Sequence, residues 1–299
     1  MFKTKKIVAL AASAALILSM AVSCGNTDNA SSTDNDASST VDLGEINVIS
    51  REEGSGTRGA FVELMGIVDA DENDATTVTA EITNSTSVMM STVAGNESAI
   101  GYVSLGSLSD DVKAVKVDGV EATPENVKSG DYKVSRPFVI CYVEDNLSDL
   151  AKDFISYIMS ADGQQLLTDE KYISVAEGEA YTAPETALSG EISISGSTSV
   201  GPVMEKLAAA YMEINTGVKI SIEQNGSGAG IQAATEGVSD IGMSSRALKD
   251  SEKEKLADTT IALDGVAVIV NKENPIENLT SEQIKNIFLG EVTEWADVQ

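Results

Sequence analysis

Three segments of this chain repeat one local pattern, in which a strand-like run leads into a loop rich in glycine, serine and threonine and then into a helix-like run. The loops cover residues 54–57, 196–202 and 225–230. Alternating strands and helices are typical of an α/β fold. A loop of this kind often serves only as a turn and helix cap. Three such loops, one of them beside Arg51, favour an anion site built from helix N-termini.

The remaining apolar pattern places the other elements of the predicted α/β fold. A face formed by Leu150, Phe154 and Tyr157 predicts one helix over residues 150–167. Residues 176–190 interrupt the pattern, and the alternation of strands and helices restarts after them. Predicted strands cover residues 46–49, 99–103, 136–143, 192–194 and 218–222.

Composition excludes several classes of function. The chain has no histidine, which removes imidazole acid–base chemistry and the histidine-containing catalytic and zinc motifs. It carries 47 acidic and 20 basic residues, a balance that argues against nucleic acid as a partner. The glycine loops lack the Walker A ending and the hydrolase elbow. We therefore predict a binding protein with no enzymatic activity, no cofactor and no metal.

The N-terminus has the pattern of an export signal. Lys3, Lys5 and Lys6 precede an apolar run over residues 7–22, which is short for a membrane-spanning helix. The residues around Cys24 resemble a bacterial lipobox, in which the cysteine is acylated. We therefore expect a lipoprotein signal peptide over residues 1–24, lipidation at Cys24, and an extracytoplasmic protein anchored to the cell membrane. The polar residues 25–44 predict a disordered tether. The second cysteine, Cys141, lies in an apolar run and is interpreted as a buried hydrophobic residue.

Five motifs together resemble the phosphate-binding proteins of bacterial ABC importers, which are type II periplasmic binding proteins. The resemblance implies a two-lobed α/β fold with a ligand cleft between the lobes. It covers nearly all of residues 45–299. The motifs are residues 51–58 (REEGSGTR), 196–202 (GSTSVGP), 225–230 (NGSGAG), 240–246 (DIGMSSR) and 261–270 (IALDGVAVIV).

The same resemblance implies a set of phosphate ligands. Arg51 would supply the formal positive charge, and the other ligands would donate from hydroxyls or backbone N–H groups. Some relatives carry an aspartate where this chain has Ser245, so discrimination between phosphate and sulfate stays open. The implied phosphate-binding residues are Arg51, Ser55, Gly56, Thr57, Thr198, Ser199, Ser227 and Ser245.

The order of the motifs differs from the order in the family. The loop that begins at Arg51 normally follows the other ligand loops, whereas here it precedes them, and the last residues resemble the segment that normally leads into it. We interpret the chain as circularly permuted, since permutation is tolerated at exposed loops. The implied division is lobe 2 over residues 45–137, lobe 1 over residues 138–270, and a segment over residues 271–299 that completes lobe 2. A monomer closed on itself is expected; a swapped tail and a fragment of a tandem array are the alternatives.

The resemblance implies that the protein binds inorganic phosphate and delivers it to the permease and ATPase subunits of an ABC importer. A surface sensor or scavenger without a transporter is one alternative. Binding of another tetrahedral oxyanion, such as sulfate or a molybdate-like anion, is a second alternative.

Overall fold

The computed structural model describes residues 43–298. The predicted signal peptide, Cys24 and nearly all of the predicted tether lie outside these residues. Within residues 43–298, no helix combines the length and the apolar character that crossing a membrane requires.

The described residues form a mixed α/β fold, as the alternating pattern predicts. The strands are β1 Asn47–Arg51, β2 Glu81–Thr83, β3 Ala99–Ser104, β4 Val112–Ala114, β5 Lys116–Val117, β6 Ser135–Tyr142, β7 Ile173–Ser174, β8 Ser189–Gly196, β9 Gly217–Gln224, β10 Ile241–Ser244, β11 Ala257–Asn271 and β12 Asn278–Leu279. The helices are α1 Gly56–Met65, α2 Thr86–Ala94, α3 Pro124–Ser129, α4 Asp149–Met159, α5 Ala161–Asp169, α6 Gly201–Ile214, α7 Ser227–Glu236, α8 Asp250–Lys253 and α9 Ser281–Leu289.

The main sheet contains two parallel groups of strands. Its order is β2-β1-β3-β11-β6-β10-β8-β9, with β4 and β7 also paired to β11. One parallel group is β2-β1-β3 and the other is β10-β8-β9. The antiparallel strands β11 and β6 lie between the two groups. Residues 257–265 of β11 pair with β6, whereas residues 266–270 pair with β3, so this strand joins both parts of the sheet.

Each parallel group has its own apolar core. Around β1 and β3 the buried rings include Phe61, Tyr102 and Phe288, with Phe61 stacked on Tyr102 at 4.1 Å between centroids. Around β8 and β6 the core contains Phe154 and Tyr211, whose centroids lie 5.0 Å apart. Burial of these rings and of the aliphatic side chains around them is the main stabilising contribution in each core.

The helix expected over residues 150–167 is in fact two helices, and this prediction was wrong. Ser160 adopts an extended conformation between α4 and α5, and its hydroxyl accepts a hydrogen bond from the N–H of Gly163 at 3.3 Å. Ser160 therefore ends one helix and caps the next. The turn is tight, since an added Cβ atom at Gly163 would lie 2.3 Å from the carbonyl oxygen of Tyr157.

The described ends of the chain lie side by side. The N–H of Ile46 donates to the carbonyl of Thr293 at 2.7 Å, and the N–H of Trp295 donates to the carbonyl of Gly44 at 3.0 Å. Helix α9 packs on the same core as α1, with the rings of Phe61 and Phe288 edge to face at 4.9 Å. The last described segment therefore packs onto the beginning of its own chain.

Candidate anion site at the carboxyl ends of the parallel strands

The strand order defines where a ligand fits. Within each parallel group the first strand along the chain lies in the middle, so β1 lies between β2 and β3, and β8 lies between β9 and β10. In open α/β sheets, a crevice forms at the carboxyl ends of the strands where the order reverses in this way. The loops that begin at Glu52 and at Ser197 follow these two central strands.

Five predicted hydroxyls from the segments that follow β1, β8, β9 and β10 meet in one cluster, which we call the hydroxyl cluster: Thr57, Thr198, Ser199, Ser227 and Ser245. Thr57 Oγ1 lies 2.9 Å from Ser199 Oγ and 3.4 Å from Ser245 Oγ. Ser227 Oγ lies 3.3 Å from Ser245 Oγ and accepts from the Ser245 N–H at 3.1 Å. All five side chains are buried. Residues up to 188 positions apart are thus brought within hydrogen-bonding distance.

Arg51 adds a positive charge to the hydroxyl cluster. Its residue is 2% exposed, and its Nη2 donates to Thr198 Oγ1 at 3.0 Å. Nε and Nη2 also donate to the two carboxylate oxygens of Glu52, each at 2.8 Å. Arg58 Nη1 donates to the carbonyl oxygen of Arg51 at 2.8 Å. The guanidinium of Arg51 is therefore held in place beside neutral donors, an arrangement suited to an oxyanion.

The last two predicted ligands, Ser55 and Gly56, belong to the start of helix α1. Ser55 caps this helix: its hydroxyl accepts from the N–H of Arg58 at 3.4 Å. An added Cβ atom at Gly56 would lie 2.5 Å from Ser227 Oγ and 2.8 Å from Ser245 Oγ. Only a residue without a side chain lets this backbone approach the hydroxyl cluster so closely. The structure thus places Gly56 against the hydroxyl cluster and engages the Ser55 hydroxyl in the helix cap.

The sequence reasoning missed Thr86. Its hydroxyl lies 3.3 Å from Thr198 Oγ1 and 3.2 Å from Ser199 Oγ, and the residue is 6% exposed. Thr86 begins helix α2, which follows β2 in the same way that α1 follows β1. The polar run from Asn84 to Ser87 before an apolar helix was the available signal, but it contains no glycine and β2 is only three residues long.

A groove of about 930 Å³ adjoins the hydroxyl cluster. It meets the hydroxyl cluster at Thr198, is lined by Thr86 as well, and extends along helix α2 past Met90 and Ala94. Its lining also includes Pro202 and Gln224. The site therefore has one side next to open space, while the rest of the hydroxyl cluster is enclosed by protein.

The free thiol of Cys141 is not among the residues of the hydroxyl cluster. Cys141 is completely buried, as the apolar run around it predicted, and burial raises the pKa of its thiol to about 12. Among residues 43–298 there is no group of three or more acidic, cysteine or histidine residues placed to hold a metal ion. The hydroxyls, backbone N–H groups and arginine of the site suit reversible anion binding.

The comparison that decides the family is a match to a family profile described as a PBP superfamily domain, over residues 26–162 and 181–299. The chain belongs to the PBP superfamily. The type II binding-protein fold implied by the sequence motifs is thereby confirmed.

Within this superfamily, similar proteins carry the name of a phosphate-binding protein. The chain is 45% identical to "Phosphate-binding protein PstS 2" of Streptococcus agalactiae serotype V over 303 residues, which cover 100% of this chain and 99% of that protein. It is 47% identical to a protein of the same name from Streptococcus pneumoniae serotype 4, over 93% of this chain and 94% of the relative. The resemblance to phosphate-binding proteins is confirmed. The relatives are binding proteins by name, which confirms that the family is not one of enzymes.

A solved structure is similar over most of the chain. It is the crystal structure of a phosphate ABC transporter, phosphate-binding protein from Streptococcus pneumoniae TIGR4, which is 48% identical with a TM-score of 0.68. The match covers 86% of this PBP-superfamily chain and 100% of that one.

Proposed function

We propose that this protein binds inorganic phosphate at the hydroxyl cluster and delivers it to the permease and ATPase subunits of an ABC importer. The observation that carries the proposal is the contact of Arg51 with Thr198, which joins the one charged predicted ligand to the hydroxyls of distant loops. The phosphate-binding residues are proposed to be Arg51, Ser55, Gly56, Thr57, Thr198, Ser199, Ser227 and Ser245.

The number of hydrogen-bond donors at the site is sufficient for the phosphate affinity that we expect. Each hydrogen bond to a charged group contributes roughly 1.5–3 kcal/mol, so several of them support micromolar binding at about −8 kcal/mol after the costs of desolvation and closure. The chain's strong net negative charge, −27, acts weakly at long range because physiological salt screens charges beyond about 8 Å. The local donors therefore govern the affinity.

Arg51→Ala tests this proposal. Removing the charge should weaken phosphate binding by about 100-fold or more in isothermal titration calorimetry, because a charge-assisted donor is lost from a buried site. Lys219→Ala is the matched control, since Lys219 is an exposed cation on β9 that pairs with Glu191 of β8. Equal phosphate affinity in wild type and Arg51→Ala would refute the site.

Selectivity for phosphate over sulfate is proposed to depend on hydroxyls that both donate and accept. A protonated phosphate needs an acceptor for its own O–H, and the hydroxyl of Ser245, which lies within the hydroxyl cluster, can accept such a proton. Calorimetry with phosphate and with sulfate should show tighter binding of phosphate. Equal affinities would remove the selectivity and favour a general oxyanion binder.

Delivery to an importer is supported by the name of the solved relative, a phosphate-binding protein of a phosphate ABC transporter. Cells lacking this protein should take up less radiolabelled phosphate. Normal uptake, with permease and ATPase genes intact, would favour the alternative of a surface sensor or scavenger.

Anchoring by a lipid at Cys24 is proposed from the lipobox-like residues and places the protein outside the cytoplasm on the cell membrane. Cys24→Ala should release the protein from the membrane fraction of the cells that make it. Retention of the variant in that fraction would contradict lipid anchoring.

The circular permutation is also a proposal, with lobe 2 over residues 45–137 and 271–299 and lobe 1 over residues 138–270. It is supported by the hydrogen bonds that place Ile46 beside Thr293 and Gly44 beside Trp295. A variant that joins residue 295 to residue 46 and opens the chain within residues 176–190 should fold and bind phosphate as a monomer. Failure of this variant to fold would count against the permutation.

A further inference from the structure

We infer that Thr86 is an additional anion-binding residue of this site, which donates its hydroxyl to the bound anion from helix α2. The inference rests on the proposed function, because the anion is the phosphate proposed above. It adds a ligand that lies outside all five sequence motifs.

The position of Thr86 leaves its hydroxyl available. The capping role at the start of α2 belongs to the preceding residue, Ser85, whose hydroxyl accepts from the N–H of Val88 at 3.2 Å. Thr86 Oγ1 instead faces Thr198 Oγ1 at 3.3 Å and Ser199 Oγ at 3.2 Å. Both of these partners are proposed phosphate ligands, so Thr86 lies where the anion would be held.

A nearby threonine shows what a structural hydroxyl looks like. Thr83, at the end of β2, is also buried, but its hydroxyl donates to the backbone carbonyl of Ser50 at 3.1 Å and so ties β2 to β1. Within residues 43–298, the Thr86 hydroxyl makes no hydrogen bond to a backbone group. There it contacts two hydroxyls of the hydroxyl cluster, which can each turn toward an anion.

The hydrogen bonds around Thr198 support the same assignment. Arg51 Nη2 donates to Thr198 Oγ1 at 3.0 Å, so the Thr198 hydroxyl proton is directed elsewhere, toward Thr86 or toward a bound anion. When the anion takes the protons of Thr198 and Ser199, the proton of Thr86 is free to turn to the anion as well. The positive end of the nine-residue helix α2 favours negative charge at this point.

Thr86→Val tests the inference, because valine keeps the shape of threonine and removes the hydroxyl. In calorimetry with inorganic phosphate, we expect the dissociation constant to rise about 10- to 100-fold, as for loss of one hydrogen bond to a charged group. Thr86→Ser keeps the hydroxyl and should stay within about threefold of wild type. Thr92→Val is the matched control, since Thr92 lies in the same helix about 9 Å further along.

Unfolding curves establish that each variant is folded, and Thr86→Ala replaces the valine variant if that one does not fold. Wild-type affinity in a folded variant without the hydroxyl would overturn the inference alone, and the Arg51→Ala result would still stand. No phosphate binding by the wild type would overturn the proposed function and this inference with it.

A crystal structure of the phosphate complex gives a second, direct readout. Thr86 Oγ1 should lie about 2.5–3.0 Å from a phosphate oxygen. If Thr86 Oγ1 lies beyond hydrogen-bonding distance of every phosphate oxygen, the inference is overturned. Thr86 would then only connect the start of α2 to the loop that contains Thr198 and Ser199.

Discussion

Two buried arginines carry the same charge and have different surroundings. Arg51 is 2% exposed and Arg136 is 3% exposed. The partner of Arg51, Glu52, has a side chain that is 25% exposed, whereas the partner of Arg136, Asp264, is completely buried. Arg136 Nε and Nη2 donate to Asp264 Oδ2 at 3.2 and 3.1 Å, on the strands that join the two parts of the sheet.

The difference separates the charge that we propose for binding from a structural one. Ser104 Oγ also donates to Asp264 Oδ1 at 2.9 Å, and the guanidinium of Arg136 lies 5.4 Å from the centroid of the Phe138 ring. The charge of Arg136 is thus paired with Asp264, and its buried Nη1 has no hydrogen-bond partner among residues 43–298, while Arg51 directs a donor at the hydroxyl cluster. A buried charge serves binding when its donors face groups that a ligand can replace.

The largest expected effect is on stability. Asp264→Ala should lower the free energy of unfolding by about 3–5 kcal/mol, because it leaves the charge of Arg136 buried without a partner. Glu52→Ala should lower it by less than half as much, since its carboxylate is partly solvated already. Chemical denaturation of both variants at pH 7 measures the two losses. Equal losses would mean that both arginines are structural.

A double substitution controls for the packing at this position. Arg136→Met combined with Asp264→Val removes both charges, and replacing a buried ion pair by apolar groups is often nearly neutral. The double variant should therefore recover most of the stability that Asp264→Ala loses. A loss as large as that of the single variant would point to cavity formation as the cause.

The next effect is a dependence on pH. Burial raises the pKa of Asp264 to about 6 from its ordinary value of 3.8, and Arg136 opposes this shift. The folded state then binds the proton more tightly than the unfolded state. The stabilisation that comes from this tighter proton binding is full below pH 4 and is lost as the pH rises through 6, where the ion pair of Asp264 with Arg136 remains. Relative to Asp264→Asn, wild type should lose at most about 3 kcal/mol between pH 4 and pH 7. A difference that is constant with pH would contradict the raised pKa.

The smallest effect concerns the ring beside Arg136. Phe138→Leu should lower the free energy of unfolding by about 1–2 kcal/mol, from lost packing and a lost cation–π contact. Phe154→Leu, in the same core and equally buried, provides the packing loss alone. Phosphate affinity should be unchanged in both variants. A change in affinity would show that the Arg136 side chain communicates with the site.

Much of the site was readable from the sequence because its loops have an unusual local chemistry. Arg51, Gly56 and Thr57 stand in one short glycine-rich motif, and the structure brings them together with the hydroxyls of the other loops. Ser55 stays a predicted ligand, and in this structure its hydroxyl caps α1. Thr86 was missed because an isolated threonine at a helix start has the same local pattern as an ordinary cap.

The break between α4 and α5 was also missed, because it does not interrupt the spacing of the apolar residues. Apolar residues continue at helical spacing across Ser160, so the pattern predicts one helix. The interruption depends on the Ser160 cap and on the close approach of Gly163 to the preceding turn. The helical spacing of apolar residues does not predict these two contacts.

The sequence by itself determined the local pieces: strands and helices in alternation, glycine where the backbone must approach a hydroxyl, and one arginine beside the loop. Only the tertiary structure decided that Thr57 meets Ser199 and that Thr86 joins them. The physical reason is that a hydrogen bond depends on distances of about 3 Å, and these distances are set by how sequence-distant strands pack in one sheet. The same packing pairs Arg136 with Asp264 and leaves Arg51 beside the hydroxyl cluster.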